Sequence, residues 1–221
     1  MTLAENIVQV KASVEEACEK AHRDSSSVKV LAVTKYSDSA TTRDFVAAGM
    51  HELAENRSDV FLEKEAALAD LPEIVWHYIG SLQTRKVRDV IDKVDVFHAL
   101  DSVKLAHEIE KRATKSVQCF LEVNVSGEAS KHGFTEDEAR EVIEEIADLS
   151  KIRLIGLMTM APIDATENEL HDIFGRTRRL RDELLLKVPT LTELSMGMSQ
   201  DYEVAIEEGA TVVRIGHAFL N

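Results

Sequence analysis

The feature that most restricts the fold of this chain is its alternation of short apolar runs with amphipathic helical stretches from one end to the other. Strand-like runs stand at 28–36, 51–55, 74–79, 94–99, 117–125, 152–158, 191–195 and 211–215. Helical patterns fill 39–48, 57–69, 84–92, 101–114, 135–148, 166–187 and 199–208 between them. In the first run Val28, Val30, Leu31, Ala32 and Val33 give no polar face, the composition of a strand covered on both sides. Repeated β-then-α order implies a parallel sheet, and eight such strands fit a closed (β/α)8 TIM barrel better than an open doubly wound sheet. No G-x-G-x-x-G follows the first strand, so a dinucleotide site has no support. Ahead of any strand, Leu3, Ile7, Val10, Val14, Ala17 and Ala21 recur at steps of four and three, one face of an extra N-terminal helix over about 2–23. It is placed to cover the gap left by the missing helix after the last strand. Thr135 with Glu138 predicts a capping box at the start of the 135–148 helix.

Nothing in the pattern suggests a linker, so residues 1–221 are read as one domain. With 221 residues, 44% of them hydrophobic, the chain can enclose a sizeable core. A formal charge of −14 argues against a broad phosphate-neutralising surface, and so against nucleic acid as main partner. Cys18 and Cys119 lack metal or redox spacing, which suits a reducing compartment. The start is polar and amphipathic, unlike a signal peptide or a membrane span, and a cytoplasmic location is expected.

Barrels of this class build their sites from loops after the strands, with phosphate groups commonly bound after strands seven and eight. Lys35 ends the first strand. Held against a low-dielectric wall it would act as an amine nucleophile towards an aldehyde; otherwise it reaches solvent or pairs with a carboxylate. After the seventh strand, Ser199 in SMGMS is placed to cap the 199–208 helix, beside free backbone N–H groups, and its alternative is an ordinary helix cap. Asp201 in that turn would repel a phosphate. After the eighth, Gly216 lets backbone amides approach an anion closely. Arg214, in an otherwise apolar strand, faces the barrel mouth or a buried carboxylate, and towards a ring nitrogen it can only donate. Taken together these describe a site for a phosphorylated aldehyde. Pyridoxal 5′-phosphate (PLP) fits, with Lys35 as its Schiff-base lysine, Ser199 and the Gly216 and His217 amides on phosphate, and Arg214 on the pyridine nitrogen.

Long motifs then run almost the length of the chain: LAVTKY with Lys35, LAENR at 53–57, WHYIGSLQTRK at 76–86, HALDSVKLA at 98–106, EVNVSGEASKHGF at 122–134, GLMTMAP at 156–162, SMGMSQDYEVAIEEGAT at 195–211 and VRIG at 213–216. On these the sequence resembles the pyridoxal-phosphate homeostasis family, whose fold is similar to the barrel domain of alanine racemase. The resemblance implies a PLP carrier or buffer with no established turnover, a monomer or weak homodimer that passes coenzyme to apo PLP-dependent enzymes. Departures are Ala54 in place of the usual glycine, Arg85 in place of a common asparagine, and a short His217–Asn221 end. Asn56 is expected to help shape the site. Lys131, in the loop Ser126 to Gly133, is either a second amine near the mouth or a solvated lysine. His77 and His98 are expected to be hydrogen-bonded core residues rather than ligands, and the run Lys86, Arg88, Asp89, Asp92 and Lys93 a solvated helix face. A PLP-dependent amino-acid racemase remains the alternative. The racemases that the chain resembles take a tyrosine base from a further domain, and Tyr36, Tyr78 and Tyr202 are the tyrosines here. A cofactor-free Schiff-base aldolase is the third reading.

Overall fold

A computed structural model describes residues 2–128 and 131–220. Ala129 and Ser130, within the 122–134 motif and the Ser126 to Gly133 loop, and Asn221 of the terminal stretch lie outside the described residues. Eight strands, β1 (Lys29–Val33), β2 (Glu52–Glu55), β3 (Val75–Tyr78), β4 (Val96–Leu100), β5 (Val117–Glu122), β6 (Ile152–Met158), β7 (Glu193–Met198) and β8 (Val212–Ile215), pair in chain order into a closed parallel barrel. Between β8 and β1 the register sets Leu31 against Arg214 and Ala32 against Ile215. The expected (β/α)8 barrel is therefore what forms, and the ends of the first and last strands stand side by side.

Outside the barrel run α1 (Leu3–Lys20), α2 (Ser39–Ala47), α3 (Ser58–Ala67), α4 (Val87–Val90), α5 (Val103–Arg112), α6 (Glu136–Ala147), α7 (Glu167–Leu184), α8 (Tyr202–Glu207) and α9 (His217–Leu220). Thr135 and Glu138 do form the capping box of α6, and Thr2 with Glu5 and Thr166 with Glu169 repeat it on α1 and α7. The opening helix takes the place proposed for it. Asn6 on α1 donates to the Phe219 carbonyl at 3.0 Å, and Arg23 beyond it donates to the Ile206 carbonyl at 2.8 Å. Between strands and helices sit Phe45, Phe61, Phe97, Phe174 and Phe219, each fully enclosed and worth roughly 2–3 kcal/mol of burial.

Two expected helices differ, and the single-turn α9 follows β8, where no helix was expected. Over 84–92 the chain forms α4 between two 3₁₀ turns, because the buried Val87, Val90, Ile91 and Val94 mostly follow steps of three. After 195 the strand continues to Met198 through a bulge, with Gly197 at φ +93°. A Cβ there would lie 2.6 Å from Ala205 Cβ and 2.9 Å from Tyr202 Cα, so only glycine fits. Asp201 Oδ1 then accepts the Met198 N–H at 2.5 Å, which holds 198–201 in a turn and delays α8 to Tyr202. Among the described residues no helix is long and apolar enough to cross a membrane, and no His, Cys, Asp and Glu cluster could hold a metal. Cys18 and Cys119 are buried and unpaired.

Candidate functional site

At the C-terminal mouth of the barrel, Thr34 is the last enclosed residue of the first run. Its hydroxyl donates to the buried Glu55 carboxylate, and its carbonyl accepts from Ser37 N at 2.8 Å and from Lys64 Nζ at 2.7 Å. The backbone is thus turned outward immediately after Thr34, and Lys35 and Tyr36 are exposed. Of the two settings open to Lys35, an apolar wall or solvent, the structure shows the second. Its ammonium lies over the Tyr36 ring at 4.9 Å, a cation–π contact at an open rim. Tyr36 in turn meets the His217 ring at 4.9 Å between centroids, which links the loops after β1 and β8.

Arg214 is buried to 4% exposure, and its partners are a hydroxyl and a carbonyl. Nη1 donates to Ser195 Oγ at 2.7 Å and Nη2 to the Thr159 carbonyl at 2.9 Å, so the rival structural salt bridge is not what holds it. Burial lowers its pKa to about 10, against the pull of Asp201 and Glu122, and it stays cationic at neutral pH.

Ser199 does not cap α8. Its Oγ accepts the Gly216 N–H at 3.3 Å and so ties the β7 loop to the β8 loop. Asp201, expected to oppose an anion, is turned to the β7 backbone, and burial raises its pKa despite the Met198 N–H and Arg214. Gly216 is packed so closely on β1 that a Cβ would stand 3.2 Å from the Val33 carbonyl oxygen. His217 is exposed and opens the single-turn α9. Asn56, just past β2, has a buried Oδ1 that receives no hydrogen bond. Lys131 Nζ lies 3.4 Å from the Ala161 carbonyl and 3.9 Å from Glu128.

Three features went unforeseen. The first is the buried pair of Lys64 on α3 with Glu55 at the end of β2. Phe61, Lys64 and Leu68 share one inward stripe at steps of three and four, and that spacing was the available signal. The second is Glu122, at the end of β5. Its Oε2 is buried without a partner and its pKa is raised to about 7, chiefly by burial, then by Asp101, with Arg214 and Lys131 opposing. The third is Ser195, which sits beneath Arg214 in the lumen and has no sequence signal beyond its motif. His77 and His98 are buried and hydrogen-bonded, as expected. The mouth therefore presents an exposed amine, a buried guanidinium on the adjoining strand, an unpartnered amide oxygen and two joined loops. Such a set can take a carbonyl compound bearing an anionic group.

Comparison with known proteins places this geometry in context. Residues 2–220 match the family model described as alanine racemase, N-terminal domain. The pyridoxal phosphate homeostasis protein of Aquifex aeolicus is 42% identical over 220 residues, covering 98% of this chain and 96% of that protein. Its counterpart in Pseudomonas aeruginosa is 40% identical, covering 98% and 94%. The structure of PipY from Synechococcus elongatus with PLP bound superposes with a TM-score of 0.89 at 31% identity, covering 100% of both chains. The chain belongs to the pyridoxal phosphate homeostasis protein family, built on the barrel of the alanine racemase N-terminal domain.

Proposed function

We propose that this protein binds PLP, carries it as a Schiff base on Lys35, and serves vitamin B6 homeostasis by holding and handing on the coenzyme without catalytic turnover. The observation that carries the reading is the placement of Lys35 just beyond β1 and of Arg214 in the β8 strand paired with it. The names of the relatives and the PLP bound to PipY point the same way.

The residues suit the group. Lys35 supplies the amine that condenses with the aldehyde, releasing its oxygen as water, and an exposed rim favours the reverse hydrolysis that hands the coenzyme on. Arg214 can only donate, so a pyridine nitrogen facing it stays unprotonated. Ser199 and the Gly216 and His217 amides would serve the phosphate, the Gly216 N–H turning to it from Ser199 Oγ, to which it donates here. Asn56 offers a free carbonyl oxygen to a donor on the ligand. The coenzyme when bound brings the electrophilic carbonyl that no side chain provides. We place this activity in the cytoplasm, where two unpaired thiols are ordinary, with apo PLP-dependent enzymes as recipients and the carrier a monomer or weak homodimer.

The test is a transfer experiment. PLP-loaded protein, freed of excess coenzyme, should restore activity to an apo PLP-dependent enzyme, while a panel of amino acids in D₂O shows no α-exchange above that with free PLP. Exchange with turnover that Lys35→Ala abolishes would instead make the protein a racemase.

A further inference from the structure

Five side chains on five strands cross the barrel lumen from mouth to floor. Arg214 Nη1 meets Ser195 Oγ at 2.7 Å, Ser195 Oγ meets His98 Nδ1 at 2.9 Å, His98 Nε2 meets His77 Nδ1 at 2.9 Å, and His77 Nε2 meets Glu52 Oε2 at 2.6 Å. Lys29 closes the row with a 3.0 Å contact to Glu52 Oε1. β4 and β7 are not neighbours in the barrel, so His98 reaches Ser195 only through the interior. Phe120 stacks on His98 at 4.4 Å and 23°, which fixes the plane of that ring.

The carboxylate end determines every proton along the row. Burial would raise the Glu52 pKa, but hydrogen bonds from His77 and Lys29 outweigh it and keep the carboxylate ionised. Burial lowers the pKa of both histidines, which are therefore neutral at pH 7. An ionised carboxylate only accepts, so His77 carries its proton on Nε2 and its Nδ1 accepts. His98 must then donate from Nε2 and accept at Nδ1. Ser195 gives its hydroxyl proton to His98 and is left to accept from Arg214. Each donor points the same way, from cation to anion, and hydrogen bonds aligned in this manner polarise one another.

We propose that Glu52, on the floor of the barrel, fixes the orientation and hydrogen-bond polarity of Arg214 at the mouth by acting through His77, His98 and Ser195. These four are positioning residues: they leave Ser195 no hydroxyl proton to point at the guanidinium and commit Nη1 to it. A cavity of about 550 Å³, lined by Lys29, His77, Arg153 and Glu193 among others, opens at the floor, and the Glu52 side chain itself is 26% exposed, so the anionic end of the row is in reach of solvent. The polarity of the row is independent of any ligand; its effect on the coenzyme rests on the reading above, in which the pyridine ring faces Arg214.

The experiment reads both. In coenzyme-free protein at pH 7.5, long-range ¹H–¹⁵N spectra should give His77 and His98 as neutral rings protonated on Nε2. Glu52→Leu should release both rings to mixed tautomers, whereas Ser195→Ala, which cuts the row next to Arg214, should leave His77 unchanged. In PLP-loaded protein both variants should shift the visible absorption maximum in the same direction and weaken coenzyme binding about fivefold, the equivalent of one hydrogen bond. His98 protonated on Nδ1, or tautomers indifferent to Glu52→Leu, overturns the proposal. So does a spectrum that Arg214→Gln moves and the other two variants do not. If even Arg214→Gln leaves the spectrum unmoved, the ring does not face Arg214 and the reading of the site fails, while the tautomers still decide the row.

Discussion

Replacing Glu122 by glutamine should make this protein more stable in mild alkali and leave it unchanged in acid. Glu122 is 3% exposed, has a carboxylate oxygen that receives no hydrogen bond, and has its pKa raised from 4.5 to about 7, chiefly by burial. Below pH 4.5 the group holds its proton in both folded and unfolded chains and contributes no difference. Between 4.5 and about 7 the unfolded chain releases the proton while the folded chain keeps it, so stability falls as pH rises. Above about 7 the loss is complete, and at about 1.4 kcal/mol per pH unit it amounts to about 3 kcal/mol. Glutamine has the same shape and never ionises. Urea unfolding of coenzyme-free protein at pH 4.5 and pH 8 gives the measurement, with the difference between wild type and Glu122→Gln isolating this group from the other carboxylates. The variant should gain about 3 kcal/mol on the wild type at pH 8 and nothing at pH 4.5. Parallel pH profiles would refute the reasoning.

Other perturbations test other parts of the mouth. Lys64→Met strips the buried Glu55 of its cation and should cost about 3–5 kcal/mol, a fall of roughly 6–20 °C in Tm, with most of it restored in Glu55→Met/Lys64→Met; calorimetry of the three variants checks it. Because Thr34 is tied to that pair, Lys64→Met should also slow borohydride fixation of PLP at saturating coenzyme. Gly197→Ala adds a clash with Ala205 to an unfavourable φ, whereas Gly49→Ala, at φ +82° with nothing within 4 Å of the new Cβ, has only the backbone cost of roughly 1–2 kcal/mol. Thermal melts should therefore place Gly197→Ala well below Gly49→Ala, and PLP titration should show weaker binding in the former alone.

How much of this was legible in the sequence depended on the range of the interaction. Barrel order, the covering role of α1 and the α6 cap were readable because each rests on periodicity or on residues a few positions apart. The β8 to β1 closure then followed from topology, which brought Lys35 and Arg214 to adjoining strands. Periodicity left Lys35 between an apolar wall and solvent, because what decides it is the hold of Glu55 and Lys64 on Thr34, from 21 and 30 residues beyond Thr34. Ser199 was misread as a cap since its partner, the Gly216 amide, is 17 residues away on another loop. The sequence marks His77 and His98 as satisfied core groups, but their common direction needs Ser195, 97 residues beyond His98 and across the lumen. Lys64 is the one miss that local spacing could have prevented.

The central claim is that the amine at position 35 carries the coenzyme. The most direct measurement is borohydride reduction of the PLP-loaded protein followed by peptide mapping with mass spectrometry, run beside Lys35→Ala and Lys131→Ala. The account predicts one phosphopyridoxyl group per chain on Lys35, retained in Lys131→Ala and lost in Lys35→Ala. A label on Lys131 or another lysine in the wild type, or equal labelling of Lys35→Ala, would contradict it.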